Sequence, residues 1–199
     1  MTEVAPPLDL APRADAVPAD AIQPDAVRET QVDGPAGVDT RLDTRLDIRD
    51  VERFLFREAR LADEFDLDAW EALWTDDGVY WVPAAGDDPD TQMSVIFDNR
   101  SRIGLRVRQL KTGKRHSQIP RSRMRRVVSN VEIMGAEDNG DTIVEANFVL
   151  VESRVRGREI WAGRYTYRLR PVGGQLRMSY KKVDLVDRDH DLPNMSFLI

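Results

Sequence analysis

The sequence has no cysteine and only two histidines, His116 and His190. Without thiols there is no disulfide, no thiolate zinc site, no iron–sulfur ligation and no cysteine nucleophile. The histidines are far apart and each lies beside loop signals. "DRDHD" around His190 therefore reads as a charged surface loop, since a second imidazole ligand could come only from His116. No apolar run approaches the ~18 residues of a membrane span. The N-terminus is acidic and proline-rich with no apolar h-region, which does not fit a secretory signal. Positive charge is not in excess: the formal net charge is -6, against the basic balance that phosphate-backbone binding needs. Glycine-rich phosphate cradles and G-x-S-x-G elbows are missing, and "PVGGQ" has a hairpin's composition.

The chain divides by composition. Residues 1–46 hold six of the eleven prolines and no aromatic residue, with nine acidic and four basic side chains. Such a segment buries too little apolar surface to offset its ordering entropy, so a disordered acidic tail is expected over 1–46, including the tandem "TRLDTRLD". Residues 47–199 are long enough for one domain with a real core.

Asp47 is placed to cap a helix, with Leu46 and Val51 at hydrophobic-staple positions. Ile48, Val51, Leu55, Ala59 and Ala62 then recur at helical spacing. "FDLDAWEALW" predicts a second, shorter helix capped by Asp66 or Asp68, with Trp70, Leu73 and Trp74 on its apolar face. "TDDG" reads as a turn, with Asp76 and Asp77 as turn and cap residues rather than an acid/base pair. "VYWVP" and "MSVIF" read as strands. A third helix is expected over "DNRSRIGLRVRQLKTG", with Ile103, Val107 and Leu110 on one face and Gly113 as its stop. The rest reads as four long strands joined by short turns. Trp161, Gly163, Tyr165, Tyr167 and Leu169 alternate with Arg164, Thr166, Arg168 and Arg170, the pattern of a half-buried strand. In the last strand the apolar positions switch from even (Leu176, Met178, Tyr180) to odd (Val183, Leu185), which predicts a bulge near Lys181. The sum is an α+β domain: N-terminal helices packed on one face of a curved antiparallel sheet, forming a cone.

"FLFREARLADEFDLDAWEALWTDDGVYWVP", "FDNRSRIGLRVRQLKTG", "PRSRMRRVVSNV" and the closing "NMSFLI" follow one another in order. Together they resemble the small (β) subunits of aromatic-ring-hydroxylating dioxygenases, over about residues 50 to 199. The resemblance implies a fold like nuclear transport factor 2, or cystatin-like. It implies a hetero-oligomer of three α and three β subunits. The α subunit of such a complex carries a Rieske [2Fe–2S] centre and a mononuclear non-haem iron, fed with electrons from NAD(P)H through a reductase, sometimes with a ferredoxin. A Rieske centre needs two cysteines and two histidines, so this chain is expected to hold no cofactor, no metal and no catalytic residue. It is expected to be a cytoplasmic subunit that binds neither nucleic acid nor membrane.

Arg121, Arg123, Arg125 and Arg126 fall within six residues of an otherwise acidic chain. Stacking aromatics do not accompany them, which argues against nucleic acid. The planar guanidinium is enriched at protein interfaces. These four arginines, with Phe197, Leu198 and Ile199, are expected to pack against another subunit. Two rival readings stay open. One is a stand-alone dehydratase or isomerase of the same fold, with Tyr80, Tyr165, Tyr167, Asp98 and His116 on its cavity wall. The other is a small-ligand binder or plain scaffold with no oxygenase partner.

Overall fold

The computed structural model describes residues 46–114, 119–155 and 157–199. The expected tail over 1–46 lies outside these but for residue 46, and so does His116.

Helix α1 spans Ile48–Glu64 and starts where expected, with the Asp47 carboxylate accepting from the Arg49 amide at 2.9 Å. Its stripe of Val51, Leu55, Ala59 and Ala62 is buried. It stops at Phe65, whose φ of 64° places an aromatic residue in the left-handed region. The short helix α2, Leu67–Glu71, is capped by Asp66. Helix α3, Arg100–Lys111, is capped by the side chain of Asn99 and buries Ile103, Gly104, Val107 and Leu110.

Among the described residues six strands form one sheet in the order β2-β1-β6-β5-β4-β3. They are β1 (Trp74–Pro83), β2 (Ser94–Asn99), β3 (Arg123–Ala136), β4 (Thr142–Arg154), β5 (Gly157–Val172) and β6 (Gln175–Leu185). Strands β3 to β6 form the expected antiparallel meander. One pairing departs from expectation: β1 runs parallel to β6, so the sheet is mixed. The helices cover one face, with α1 against β3 and α3 against β1.

One local reading is corrected. "TDDG" is not a turn. Trp74 already pairs with Met178 and Val79 with Tyr180, so residues 75–78 are an irregular stretch inside β1. It is held by Thr75 Oγ1 donating to the Met178 carbonyl at 3.2 Å and by Arg170 Nη1 donating to both Asp77 oxygens at 3.1 and 3.0 Å. Trp74 therefore belongs to a strand, though its ring still meets Trp70 edge-on at 5.5 Å, which is why it scans as part of the helix face. The bulge expected near Lys181 lies two residues before it, at Ser179: Arg168 pairs with Tyr180 but Leu169 with Met178. The Ser179 hydroxyl donates to the buried Asp141 carboxylate, itself gripped by Arg170 at 2.6 and 2.9 Å. The parity switch thus falls before Tyr180, which turns outward, and carries Lys181 onto the inner face with Val183 and Leu185.

Candidate functional site

The inner face of the sheet carries a charged cluster inside an apolar shell. Glu58 lies on the buried stripe of α1, Lys181 follows the bulge of β6, and Tyr165 and Tyr167 come from β5; all are fully buried. Glu58 Oε1 accepts from Lys181 Nζ at 2.8 Å and from Trp70 Nε1 at 2.6 Å, while Oε2 accepts from the Tyr167 hydroxyl at 3.3 Å. The Lys181 ammonium also faces the rings of Tyr165, Tyr167 and Tyr80 at 4.5, 5.6 and 5.9 Å, a partial aromatic cage.

A second ion pair adjoins it. The Arg126 side chain is completely enclosed: its Nε donates to Asp63 Oδ1 at 2.8 Å, Nη1 to the Tyr165 hydroxyl at 3.2 Å, and Nη2 to the Leu198 carbonyl at 2.7 Å. Its backbone amide donates to the other Asp63 oxygen at 2.8 Å. Two carboxylates and two cations thus neutralise one another. Burial alone would raise the Glu58 carboxyl, but Lys181 and Arg126 beside it, with the bonds from Lys181 and Trp70, hold it below the usual carboxylate range. Burial, with the charge of Arg126 adding to it, pulls Lys181 down to about 8 against the opposing pull of Glu58. Burial pushes the phenols of Tyr80, Tyr165 and Tyr167 well up. Each oxygen of Glu58 and Asp63 accepts at least one hydrogen bond, Tyr80 and Tyr167 donate theirs, and the Tyr165 hydroxyl accepts from Arg126. The arrangement suits rigid packing better than proton transfer to a substrate.

The residues proposed for a cavity wall fit this picture. Tyr80 Oη donates to the Ile199 carbonyl at 2.7 Å and accepts from the Ile199 amide at 3.1 Å. Tyr165 meets Arg126 and stacks on Phe148 at 4.1 Å; Tyr167 meets Glu58. Asp98 pairs with Arg106 at 2.6 Å. Among the described residues no group of three or more His, Cys, Asp and Glu is gathered to hold a metal. A chain without thiols does not fit a Rieske cluster.

The expected interface set divides. Phe197, Leu198 and Ile199 are buried in this chain's own core, and the Arg126 side chain is buried beside them. Their side chains therefore pack within this chain rather than on its outer surface. Arg121, Arg123 and Arg125 are exposed. Arg121 lies over the Phe65 ring at 4.0 Å, and Arg125 Nη1 donates to the neighbouring Met124 carbonyl at 2.9 Å. With Phe65, Met124 and Val151 they line a groove of about 540 Å³. Beside it the outer sheet face is apolar: Val127 pairs with Val149 and Val151 with Ile160, Val127 and Ile160 being 67% and 68% exposed.

Sequence reasoning missed Glu58, Asp63 and Lys181. A signal existed for Glu58, a carboxylate three residues after Leu55 and four before Ala62 on the apolar stripe. Lys181 was named only as the neighbour of the expected bulge, not as a buried residue.

The model of the ring hydroxylating beta subunit family matches residues 57–190. The small oxygenase component of the p-cumate 2,3-dioxygenase system of Pseudomonas putida is 37% identical over 139 residues, 67% of this chain and 76% of that protein. The solved beta subunit of benzoate 1,2-dioxygenase from Burkholderia mallei superposes with a TM-score of 0.65 at 27% identity, covering 78% of this chain and 99% of that one. A Novosphingobium aromaticivorans structure named for scytalone dehydratase shares the fold at 16% identity and a TM-score of 0.53, covering 70% and 83%. The cone expected from the sequence, like that of nuclear transport factor 2, is thus the observed fold.

Proposed function

This chain belongs to the ring hydroxylating beta subunit family, and from that membership we propose that it is the non-catalytic small subunit of a dioxygenase that adds both atoms of O₂ to an aromatic ring. The observation that carries the non-catalytic part is the filled cone. Where a same-fold enzyme needs an open cavity with a free acid or base, this chain has two buried ion pairs and its own residues 197–199.

The partner is a large α oxygenase subunit in an α3β3 complex, with the Rieske cluster and mononuclear iron held there. Electrons reach it from NAD(P)H through a reductase, with or without a ferredoxin, and the product is a cis-dihydrodiol. The assembly is cytoplasmic; no described helix is long and apolar enough to cross a membrane. The contact surface is the groove of Arg121, Arg123 and Arg125 with the apolar strip of Val127, Val149 and Ile160. Exposed apolar area of this kind, rimmed by charge, marks a protein interface. The arginines set register and partner choice, since one exposed ion pair contributes only ~0–1 kcal/mol.

Co-expression with the large subunit tests this. The expected product is a single hetero-oligomer in which iron scales with the large subunit, while this chain alone is iron-free and turns over no arene. Stoichiometric iron and arene oxidation by the isolated chain would refute the reading.

A further inference from the structure

Residues 194–199 cross the mouth of the cone without joining a strand or helix. Their side chains nevertheless end as core: Phe197, Leu198 and Ile199 are 4%, 1% and 0% exposed, and the Phe197 ring meets Trp161 edge-on at 5.6 Å. Side chains from three separate strands hold their main chain. Arg154 Nη2 of β4 donates to the Asn194 carbonyl at 2.9 Å. Arg126 Nη2 of β3 donates to the Leu198 carbonyl at 2.7 Å. Tyr80 of β1 both donates to the Ile199 carbonyl and accepts from its amide, at 2.7 and 3.1 Å.

An element of a fold is ordinarily tied in by a ladder of backbone pairs. Here apolar sockets take the side chains while fixed polar side chains read the carbonyls, as a receptor treats a short peptide. The receptor half is braced independently of the segment. Arg126 is clamped by Asp63, and Arg154 by Glu152 at 2.7 Å; Glu152 also accepts from Ser122 and Trp161 at 2.7 and 3.1 Å. Arg126 and Arg154 are therefore held in place by partners outside the segment, and the buried guanidinium of Arg126 would lose its carbonyl if the segment left.

We infer that the mouth of the cone is a binding site for a short, extended, apolar peptide with an aromatic residue leading two aliphatic ones, and that residues 194–199 are its ligand supplied from the same chain. This does not rest on the assembly proposed above and stands or falls separately from it.

The test begins with an intact fold. A protease recognition sequence is placed between Pro193 and Asn194, both exposed, in the full chain, which is cut only after folding. The hexapeptide Asn-Met-Ser-Phe-Leu-Ile is expected to stay bound through gel filtration and to exchange with excess labelled hexapeptide. A chain ending at Pro193 is expected to gain thermal stability saturably when the hexapeptide is added, and to gain none from a peptide with alanine in place of Phe197 and Leu198. Tyr80→Phe in the cut protein, which removes both hydrogen bonds to Ile199, should speed peptide release at least about tenfold. Loss of the peptide on cutting, whether or not the remainder stays folded, overturns the inference. So does equal stabilisation by the alanine peptide.

Discussion

Lys181 and Glu58 show how much one side chain carries when its partner is buried with it. Removing one member of a buried ion pair strands the other charge, at a cost of ~3–5 kcal/mol, whereas removing both can be nearly neutral. Lys181→Met is therefore expected to lower unfolding free energy by about that range in urea titrations, and Glu58→Gln added to it to recover most of the loss. The same pair sets an acid limit. Glu58 is held below its ordinary value of 4.5 in the fold, so just below that pH the unfolded chain binds the proton more readily than the folded one. Stability is then fully present above about 4.5 and is lost as pH falls through the lower folded value. Glu58→Gln should make the denaturation midpoint less steep between neutral and acid pH; an unaltered slope would place the acid limit on other carboxylates. At this scale the sequence was only partly readable. Tyr165 and Tyr167 announced their burial by alternation. A lysine announces solvent, and only the bulge at Ser179 explains why Lys181 does not find it.

Among the elements, β5 and β6 come too close at Gly163 to admit a side chain. A Cβ there would stand 2.1 Å from the Asp184 carbonyl oxygen, a backbone atom that cannot swing aside. Gly163→Ala is expected to cost ~1–3 kcal/mol by overpacking, seen as a lowered melting temperature with α1 helicity retained; a wild-type melting temperature would show that the strands can part. The long elements were legible because their signals are local. Asp47 and Asn99 cap where a carboxylate or amide precedes an apolar stripe, and the four strands of the meander are joined by three short turns. The junction of α2 with β1 was not legible. "TDDG" has turn composition, and what keeps it in a strand is Arg170 and Met178, both supplied from far along the chain.

At the scale of the molecule, charge and apolar surface divide the labour of assembly. Arg123→Ala with Arg125→Ala should leave the isolated chain's melting curve within about 0.5 kcal/mol of wild type, as exposed sites do. It should also shift the hetero-oligomer toward free subunits at low protein concentration, more so at low salt, where the lost charges act over a longer range. Unchanged oligomer mass under those conditions would move the contact elsewhere. The family was legible in four ordered segments, but the division of the arginine stretch was not. Arg126 differs from Arg125 only in strand parity, and parity decides which guanidinium faces Asp63 and which faces water.

The parallel seam between β1 and β6 has a bearing on how the protein is made. Thr75 and Met178, which meet across it, are 103 residues apart, so the middle of the sheet stays unzipped until nearly all of the polypeptide has left the ribosome. The first helices and the hairpins of the meander can form during synthesis, since their contacts are local, whereas the seam waits for β6. Until then β1 carries an unpaired edge that chaperones, or other nascent chains, can reach.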